Sequence, residues 1–300
     1  MIEQNINIVE VGPRDGLQNE KEIVPTDVKI EFINRLLSSG LSTIETTSFV
    51  SPKWVPQMAD HEQVVSQLPK NSAAHFPVLV PNQKGLDNAL RYQINDIAVF
   101  AAASETFSQK NINRSIDESL QEYSRLIQQA LQAGMRVRGY VSCVLGCPYE
   151  GKIALSQVVK VASTLFQAGC YEISLGDTIG VGTPLAAKEM VKSVMTEIPS
   201  SKLAVHYHDT YGMALANIFA CLDLGIATVD SSVAGLGGCP YAKGATGNVA
   251  TEEVVYLLHG LGCKTGVDLE KLIQAGEYIC HYLKHANRSK VAVAMLAKKS

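Results

Sequence analysis

The stretch Ile30-Glu31-Phe32-Ile33-Asn34-Arg35-Leu36-Leu37-Ser38-Ser39-Gly40-Leu41-Ser42-Thr43-Ile44-Glu45 holds the repeating unit of this chain. Ile30, Ile33, Leu36 and Leu37 fall on one face of a helix. Gly40 stops that helix, because glycine takes the left-handed conformation at little cost. A short run rich in β-branched residues follows at once and reads as a buried strand. The same succession recurs at Ala133-Gly134-Met135 before Val137, at Ala168-Gly169-Cys170 before Ile173 and at Leu224-Gly225-Ile226 before Val229.

Working outward, eight strand centres follow in order: Ile8-Val9, Ile44-Glu45, Pro77-Val78-Leu79, Ile97-Ala98-Val99, Val137-Arg138-Gly139-Tyr140, Ile173-Ser174-Leu175, Leu203-Ala204-Val205 and Thr228-Val229. Helical patterns separate most of them, so the strands should pair in parallel through right-handed crossovers. Eight such units in 300 residues predict an α/β fold, a closed (β/α)8 or TIM barrel. An open doubly wound sheet is the competitor, but the glycine fingerprint it needs after the first strand is missing. Leu269 to Lys290 reads as further helix. The expectation is one catalytic domain over residues 1–300, with a C-terminal helical extension from about residue 265.

Apolar residues make up 46% of the chain and the formal charge is only -3 at pH 7. That leaves ample core and no basic stripe, so nucleic acid is an unexpected partner. The longest apolar runs, such as Ile97 to Ala103, are too short to span a bilayer. Met1-Ile2-Glu3 leads directly into a strand-like run, with neither an apolar leader nor an Arg-rich transit pattern. Seven scattered cysteines read as reduced thiols, and a cytoplasmic location is expected.

In such a barrel, chemistry sits at the C-terminal ends of the strands. Strand one ends in Glu10-Val11-Gly12-Pro13-Arg14-Asp15-Gly16, strand two carries Glu45, strand six ends in Gly176-Asp177-Thr178 and strand seven in His206-Tyr207-His208-Asp209. His206 and His208, two apart on a strand, point to one face and can chelate one cation. Alone the pair is equally well explained as hydrogen-bonded histidines. Asp15 and Asn248 add oxygen donors near other strand ends, and a mixed oxygen–nitrogen set suits Mg2+ or Mn2+. Arg14 beside Asp15 reads as a fixed cation for an enolate or thioester oxygen. Glu45 lies in an otherwise uncharged strand and needs a partner if buried; Arg14 is the natural one. Asp177 reads either as an active-site carboxylate or as a cap before the helix start at Thr183-Pro184. The glycine-rich stretch Gly235 to Gly247 lacks the Gly-Lys-Ser/Thr of a phosphate loop and reads as a lid carrying Cys239. Cys143 and Cys147 are spaced for metal or redox use, but no second pair completes a zinc site.

Five segments carry a resemblance. They are Val11-Gly12-Pro13-Arg14-Asp15-Gly16-Leu17-Gln18-Asn19-Glu20, Ser142 to Gly151 (SCVLGCPYEG), Ser174-Leu175-Gly176-Asp177-Thr178-Ile179-Gly180, His206-Tyr207-His208-Asp209-Thr210-Tyr211-Gly212, and Gly235 to Ala242 (GLGGCPYA) with Asn248 in GNVATE after it. In order and spacing they resemble the motifs of the hydroxymethylglutaryl-CoA (HMG-CoA) lyase family, over nearly the whole chain. The resemblance implies that Asp15, His206, His208 and Asn248 hold a divalent cation, Mg2+ or Mn2+. It implies that Arg14 binds substrate and stabilises the enolate, that Cys239 is an acid/base on the loop, and that Glu45 and Asp177 support the catalytic group. The proton acceptor would be His206 or a carboxylate of the mouth. The implied reaction is retro-Claisen cleavage of HMG-CoA to acetyl-CoA and acetoacetate, a step of leucine breakdown. The implied partner is thus a small acyl-CoA, and the candidate assembly is a homodimer. Family members with an N-terminal targeting extension differ from this chain, which resembles the bacterial type. Acetyl-CoA-dependent condensing enzymes such as isopropylmalate synthases, and related aldolases, share the barrel, the Arg-Asp pair and His-x-His. The middle motif and the Cys239 loop resemble the lyases instead. Metal-dependent hydrolases place His-x-His after the first strand, where this chain has Arg14-Asp15.

Overall fold

The computed structural model describes residues 4–69, 72–238 and 247–298. Its strands are β1 (Asn7–Glu10), β2 (Thr43–Ile44), β3 (Thr47–Ser48), β4 (Val78–Leu79), β5 (Asp96–Ala102), β6 (Arg136–Ser142), β7 (Glu172–Asp177), β8 (Leu203–Tyr207) and β9 (Thr228–Ser231). All pair in parallel, in the order β2-β1-β9-β8-β7-β6-β5-β4-β3. The two ends of that order, β2 and β3, are consecutive pieces of one segment. Between them Glu45 N–H donates to Glu10 O at 2.9 Å on one side, and Thr46 N–H donates to Pro77 O at 3.1 Å on the other. The second expected strand is therefore one stave, split by Glu45-Thr46, that closes the barrel.

The helices are α1 (Thr26–Ser38), α2 (His61–Ser66), α3 (Gln83–Arg91), α4 (Glu105–Ile112), α5 (Ile116–Gln132), α6 (Leu155–Gln167), α7 (Pro184–Val194), α8 (Ala214–Leu222), α9 (Thr251–Gly260), α10 (Leu269–Leu283) and α11 (Lys290–Ala297). Their ends follow from the sequence. Gly40, Gly134, Gly169 and Gly225 all have positive φ, between 81° and 111°, and each closes a helix ahead of a strand. At the start of α5, Ser115 and Glu118 form a reciprocal capping box, worth roughly 1 kcal/mol for the serine alone. Ile116, Leu120, Tyr123, Ile127 and Ala130 then bury one face of α5. Helices α10 and α11 are the helical tail expected after the barrel, and α10 packs back on α1.

Most of the core lies between strands and helices in one continuous apolar cluster. The barrel interior is different. Leu79, Ala98 and Tyr140 form a small apolar group there. Beside it lie the fully buried Arg138 and Asp230 with Ser174. A charged interior is expensive unless every partner is present, and its lining faces the mouth where the candidate site residues converge.

Candidate active site

Strand β1 ends at Glu10, and a π-turn, Gly12–Gly16, follows at once. The Glu10 carboxylate accepts the Gly12 N–H at 2.8 Å, while Arg14 N–H and Gly16 N–H both return to Val11 O. This tight turn aims Arg14 and Asp15 into the barrel mouth. Arg14 donates through Nε (2.8 Å) and NH2 (2.7 Å) to Oε2 of Glu45, and through NH1 to Oδ1 of Asp15 (2.7 Å). Glu45 sits in the split between β2 and β3, so the break in that stave places a carboxylate across from the arginine. Burial would discharge the guanidinium, but Glu45 and Asp15 outweigh it and hold Arg14 charged. Burial prevails for Glu45 and raises its carboxyl despite Arg14. Its second oxygen, Oε1, has no hydrogen-bond partner among the described residues.

His206 and His208 lie at the end of β8 with ring centroids 5.5 Å apart. One ligand atom each from Asp15, His206 and His208 can be chosen so that all three lie within 4.8 Å of one another. Asn248 joins them through a backbone bridge to His208, flanked by Asp209 N–H to Gly247 O (2.9 Å) and Val249 N–H to Tyr207 O (3.3 Å). Its Nδ2 donates to Asp15 Oδ2 at 2.7 Å. As a ligand it would offer Oδ1 instead, an amide rotation that leaves the bridge intact.

The electrostatics of this ring favour a cation. Burial alone would raise the Asp15 carboxyl, but Arg14, His206 and His208 hold it down at about 2. Burial and then the neighbouring His206 hold His208 down at about 4, so it is a neutral imidazole with a free lone pair. Burial would likewise lower His206, yet the hydrogen bond and charge of Asp230 raise it. Nδ1 of His208 is buried and has no hydrogen-bond partner among the described residues. An orphaned imidazole nitrogen beside a low-pKa carboxylate fits a divalent cation held by mixed oxygen and nitrogen donors.

Asp177 is not part of this ring. It alternates with Gly176, which is in register with His206, and so its side chain leaves the barrel on the other face. Its carboxylate accepts N–H groups of Val181 (3.2 Å) and Gly182 (2.7 Å). Of the two sequence readings, these bonds serve the second, holding the loop ahead of Thr183-Pro184. Cys239 lies outside the described residues. The stem on either side of it is held. Asn19 Nδ2 donates to Gly238 O (2.9 Å), Arg288 NH1 to Gly237 O (3.1 Å) and Asn248 Nδ2 to Leu236 O (3.3 Å). Gly237 has φ +110°, and a Cβ there would meet Asn248 Nδ2 at 2.8 Å, so the two ends of the loop fit together only with glycine. Cys143 and Cys147 are buried, and Cys147 Sγ lies 2.9 Å from Ser104 Oγ.

A cavity of about 780 Å³ opens over the ring. Arg14, Asp15, His206, His208, Tyr140 and Gly238 line its inner part, and Trp54, Lys110 and Arg114 its outer part. Trp54 is 84% exposed, an apolar surface at a polar rim. Several polar residues here were not among the sequence candidates. Asp230 Oδ2 lies 3.3 Å from His206 Nδ1, Arg138 is bound to Asp230 by two hydrogen bonds, and the buried hydroxyl of Tyr140 has no hydrogen-bond partner among the described residues. The signal that singled out Glu45, a charge inside a buried strand, was equally present at Arg138 and Asp230.

A parallel barrel whose strand ends gather two imidazoles, an aspartate and an arginine–glutamate pair over one cavity defines a TIM-barrel enzyme with a potential metal site. The comparisons narrow that class. The HMGL-like family model matches residues 5–279, and the chain belongs to that family. It is 59% identical over 291 residues to a mitochondrial hydroxymethylglutaryl-CoA lyase of Bos taurus, covering 97% of this chain and 90% of that one. It is 60% identical over 289 residues to a cytoplasmic 3-hydroxy-3-methylglutaryl-CoA lyase of Rattus norvegicus, covering 96% and 84%. Its fold superposes on the crystal structure of a hydroxymethylglutaryl-CoA lyase from Pseudomonas aeruginosa with a TM-score of 0.96, at 54% identity and 99% coverage of both chains. Among the described residues no helix is long and apolar enough to cross a membrane.

Proposed function

We propose that this chain catalyses the cleavage of HMG-CoA to acetyl-CoA and acetoacetate, using Mg2+ or Mn2+ held by Asp15, His206, His208 and Asn248. The observation that carries this reading is the Asp15–His206–His208 ring beneath the Arg14–Glu45 pair, in a chain 59% identical to HMG-CoA lyases over nearly its whole length. A divalent cation in that ring supplies Lewis acidity for the tertiary hydroxyl and the thioester carbonyl of the substrate.

The chain's own groups do the rest. The hydroxyl proton passes to a carboxylate of the mouth, with both nitrogens of His206 committed elsewhere. The carbon–carbon bond then breaks, the former alcohol carbon becomes the ketone of acetoacetate, and the electron pair forms the thioester enolate. Arg14, held charged by Glu45 and Asp15, donates to the enolate oxygen through its planar fork. Cys239 delivers a proton to the enolate carbon, which completes acetyl-CoA. Asp177 supports the site by holding the loop beside β8. The outer cavity, with Lys110, Arg114 and Trp54, offers cations for the phosphates and an aromatic face for the base of a coenzyme A.

Cys147, Cys170, Cys221 and Cys280 are free, buried thiols, which suits the reducing interior of a cell. A cytoplasmic enzyme that works as a homodimer is part of this proposal, and sedimentation measures the assembly. The reaction itself is tested with HMG-CoA and Mg2+, which should yield acetoacetate and acetyl-CoA in equal amounts. Acetyl-CoA with an α-keto acid should release no free CoA. Efficient condensation would instead make the chain a synthase.

A further inference from the structure

The mechanism above leaves unused two buried charges of the barrel, Asp230 and Arg138. Asp230 is 1% exposed and stands in register with His206 on the neighbouring strand. Its Oδ2 faces His206 Nδ1 at 3.3 Å. Arg138, fully buried, grips the same carboxylate with NH2 to Oδ1 (2.7 Å) and NH1 to Oδ2 (3.0 Å), and Ser174 Oγ donates to Oδ2 at 2.7 Å. Arg138 is anchored in turn by Nε to Glu172 Oε2 (2.8 Å), whose other oxygen accepts from Thr228 Oγ1 (2.8 Å). Four adjacent strands, β6 to β9, thus aim one carboxylate at one imidazole nitrogen.

We propose that Asp230 is a positioning residue that fixes His206 as the Nδ1–H tautomer and turns its Nε2 lone pair toward Asp15 and His208. The argument is one of hydrogen-bond inventory. Arg138 and Ser174 already donate to Asp230, so its carboxylate is an acceptor-only group. Opposite such an acceptor, Nδ1 of a neutral imidazole carries the hydrogen, and Nε2 keeps the lone pair. An imidazole free to take the other tautomer would present an N–H to the ring and repel a cation. A carboxylate behind a histidine ligand also fixes the ring plane and raises the basicity of the ligating nitrogen. The two bonds from Arg138 keep Asp230 from turning away.

This inference rests on the reading of Asp15, His206 and His208 as a cation site, and the experiment separates the two. Mn2+ binding is measured by electron paramagnetic resonance, and histidine tautomers by 15N NMR of the metal-free protein. Wild type should bind Mn2+ and show His206 with its hydrogen on Nδ1. Absence of Mn2+ binding by folded wild type would overturn the cation site itself, and the positioning role with it. Asp230→Asn places an amide N–H opposite Nδ1. It should shift His206 to the Nε2–H form and weaken Mn2+ by about 10- to 100-fold, the range for losing such a partner. Glu172→Gln removes charge from the same buried network without touching His206, so it should lower thermal stability while Mn2+ affinity and tautomer stay as in wild type. Should Asp230→Asn not fold, Ser174→Ala decides, because it keeps every charge and loses only the hydroxyl that aims Oδ2; a few-fold loss of Mn2+ affinity is expected. Wild-type affinity with an unchanged tautomer in the deciding variant, or an equal loss in Glu172→Gln, overturns the proposal.

Discussion

Arg14 binds Glu45 twice and Asp15 once through three different nitrogens of one guanidinium. Lysine has the charge but a single ammonium without the planar fork. Arg14→Lys should therefore lower kcat about 100-fold or more, as for loss of a key oxyanion donor, while KM changes less. Steady-state kinetics at saturating metal check this, and a near-wild-type kcat would leave Arg14 a purely structural role. Cys239 can be tested through its competitors. The six described cysteines are all buried, so a thiol reagent on the folded protein addresses Cys239 first. Inactivation that a substrate analogue slows, with the label mapped to Cys239, is the expected result. Cys239→Ser should keep Mn2+ affinity and lose most of kcat, since a hydroxyl is a much weaker acid than a thiol; retained kcat removes the acid role. At this scale, charged residues at strand ends were legible because a barrel has one place to put them. Asp177 was legible only as two alternatives, since being near a strand end does not say which face of the strand a side chain leaves from. Asp230 and Arg138 carried the same local signal as Glu45, a charge inside a buried strand, but their role lies in a pairing across four strands that no local pattern encodes.

Among the elements, helix ends were the most legible feature. Gly40, Gly134, Gly169 and Gly225 all take the left-handed conformation that the sequence demands of them, and the strands follow within a few residues. The split of the second stave into β2 and β3 was not legible. The backbone changes partner there, with Glu45 N–H on Glu10 O and Thr46 N–H on Pro77 O, and no residue type announces such a change. The short 3-10 turn Val233–Gly235 after β9 was also hidden, since two buried carboxyls organise it from elsewhere. Glu10 accepts Gly12 N–H, Val233 N–H and Thr251 Oγ–H, and Glu252 accepts Ala234 N–H. Burial raises Glu10 to about 7 and Glu252 to about 8 against the hydrogen bonds that lower them. A carboxyl raised in the folded state binds its proton more tightly there than in the unfolded chain, so its stabilisation is complete below the unfolded value and is lost as pH rises through the folded one. Wild type should thus lose stability between about pH 5 and pH 8 by this linkage. Glu252→Gln, which keeps an acceptor for Ala234 N–H but cannot ionise, should show a flatter profile of Tm against pH over that window. An equal slope in both proteins would show that Glu252 does not titrate there.

For the whole molecule, the barrel makes separate pieces of sequence into one site. Residues 14 and 15, 45, 206 and 208, and 248 lie far apart in the chain, yet Arg14, Asp15, His206 and His208 line one cavity floor, with Glu45 and Asn248 bound to Arg14 and Asp15 behind it. The eight-stave count predicted that convergence, because closure brings the ends of all strands to one rim. The size and reach of the cavity above that rim were not readable, since they depend on loops that pack against each other rather than on any strand. The account stands on the claim that this floor holds a divalent cation used to cleave HMG-CoA. The most direct test is acetoacetate release from HMG-CoA by protein stripped with EDTA, verified metal-free, and then titrated with Mg2+ or Mn2+. The account predicts no acetoacetate from the stripped protein and full turnover once the metal is restored. Full turnover without metal, or none with it, would contradict the account.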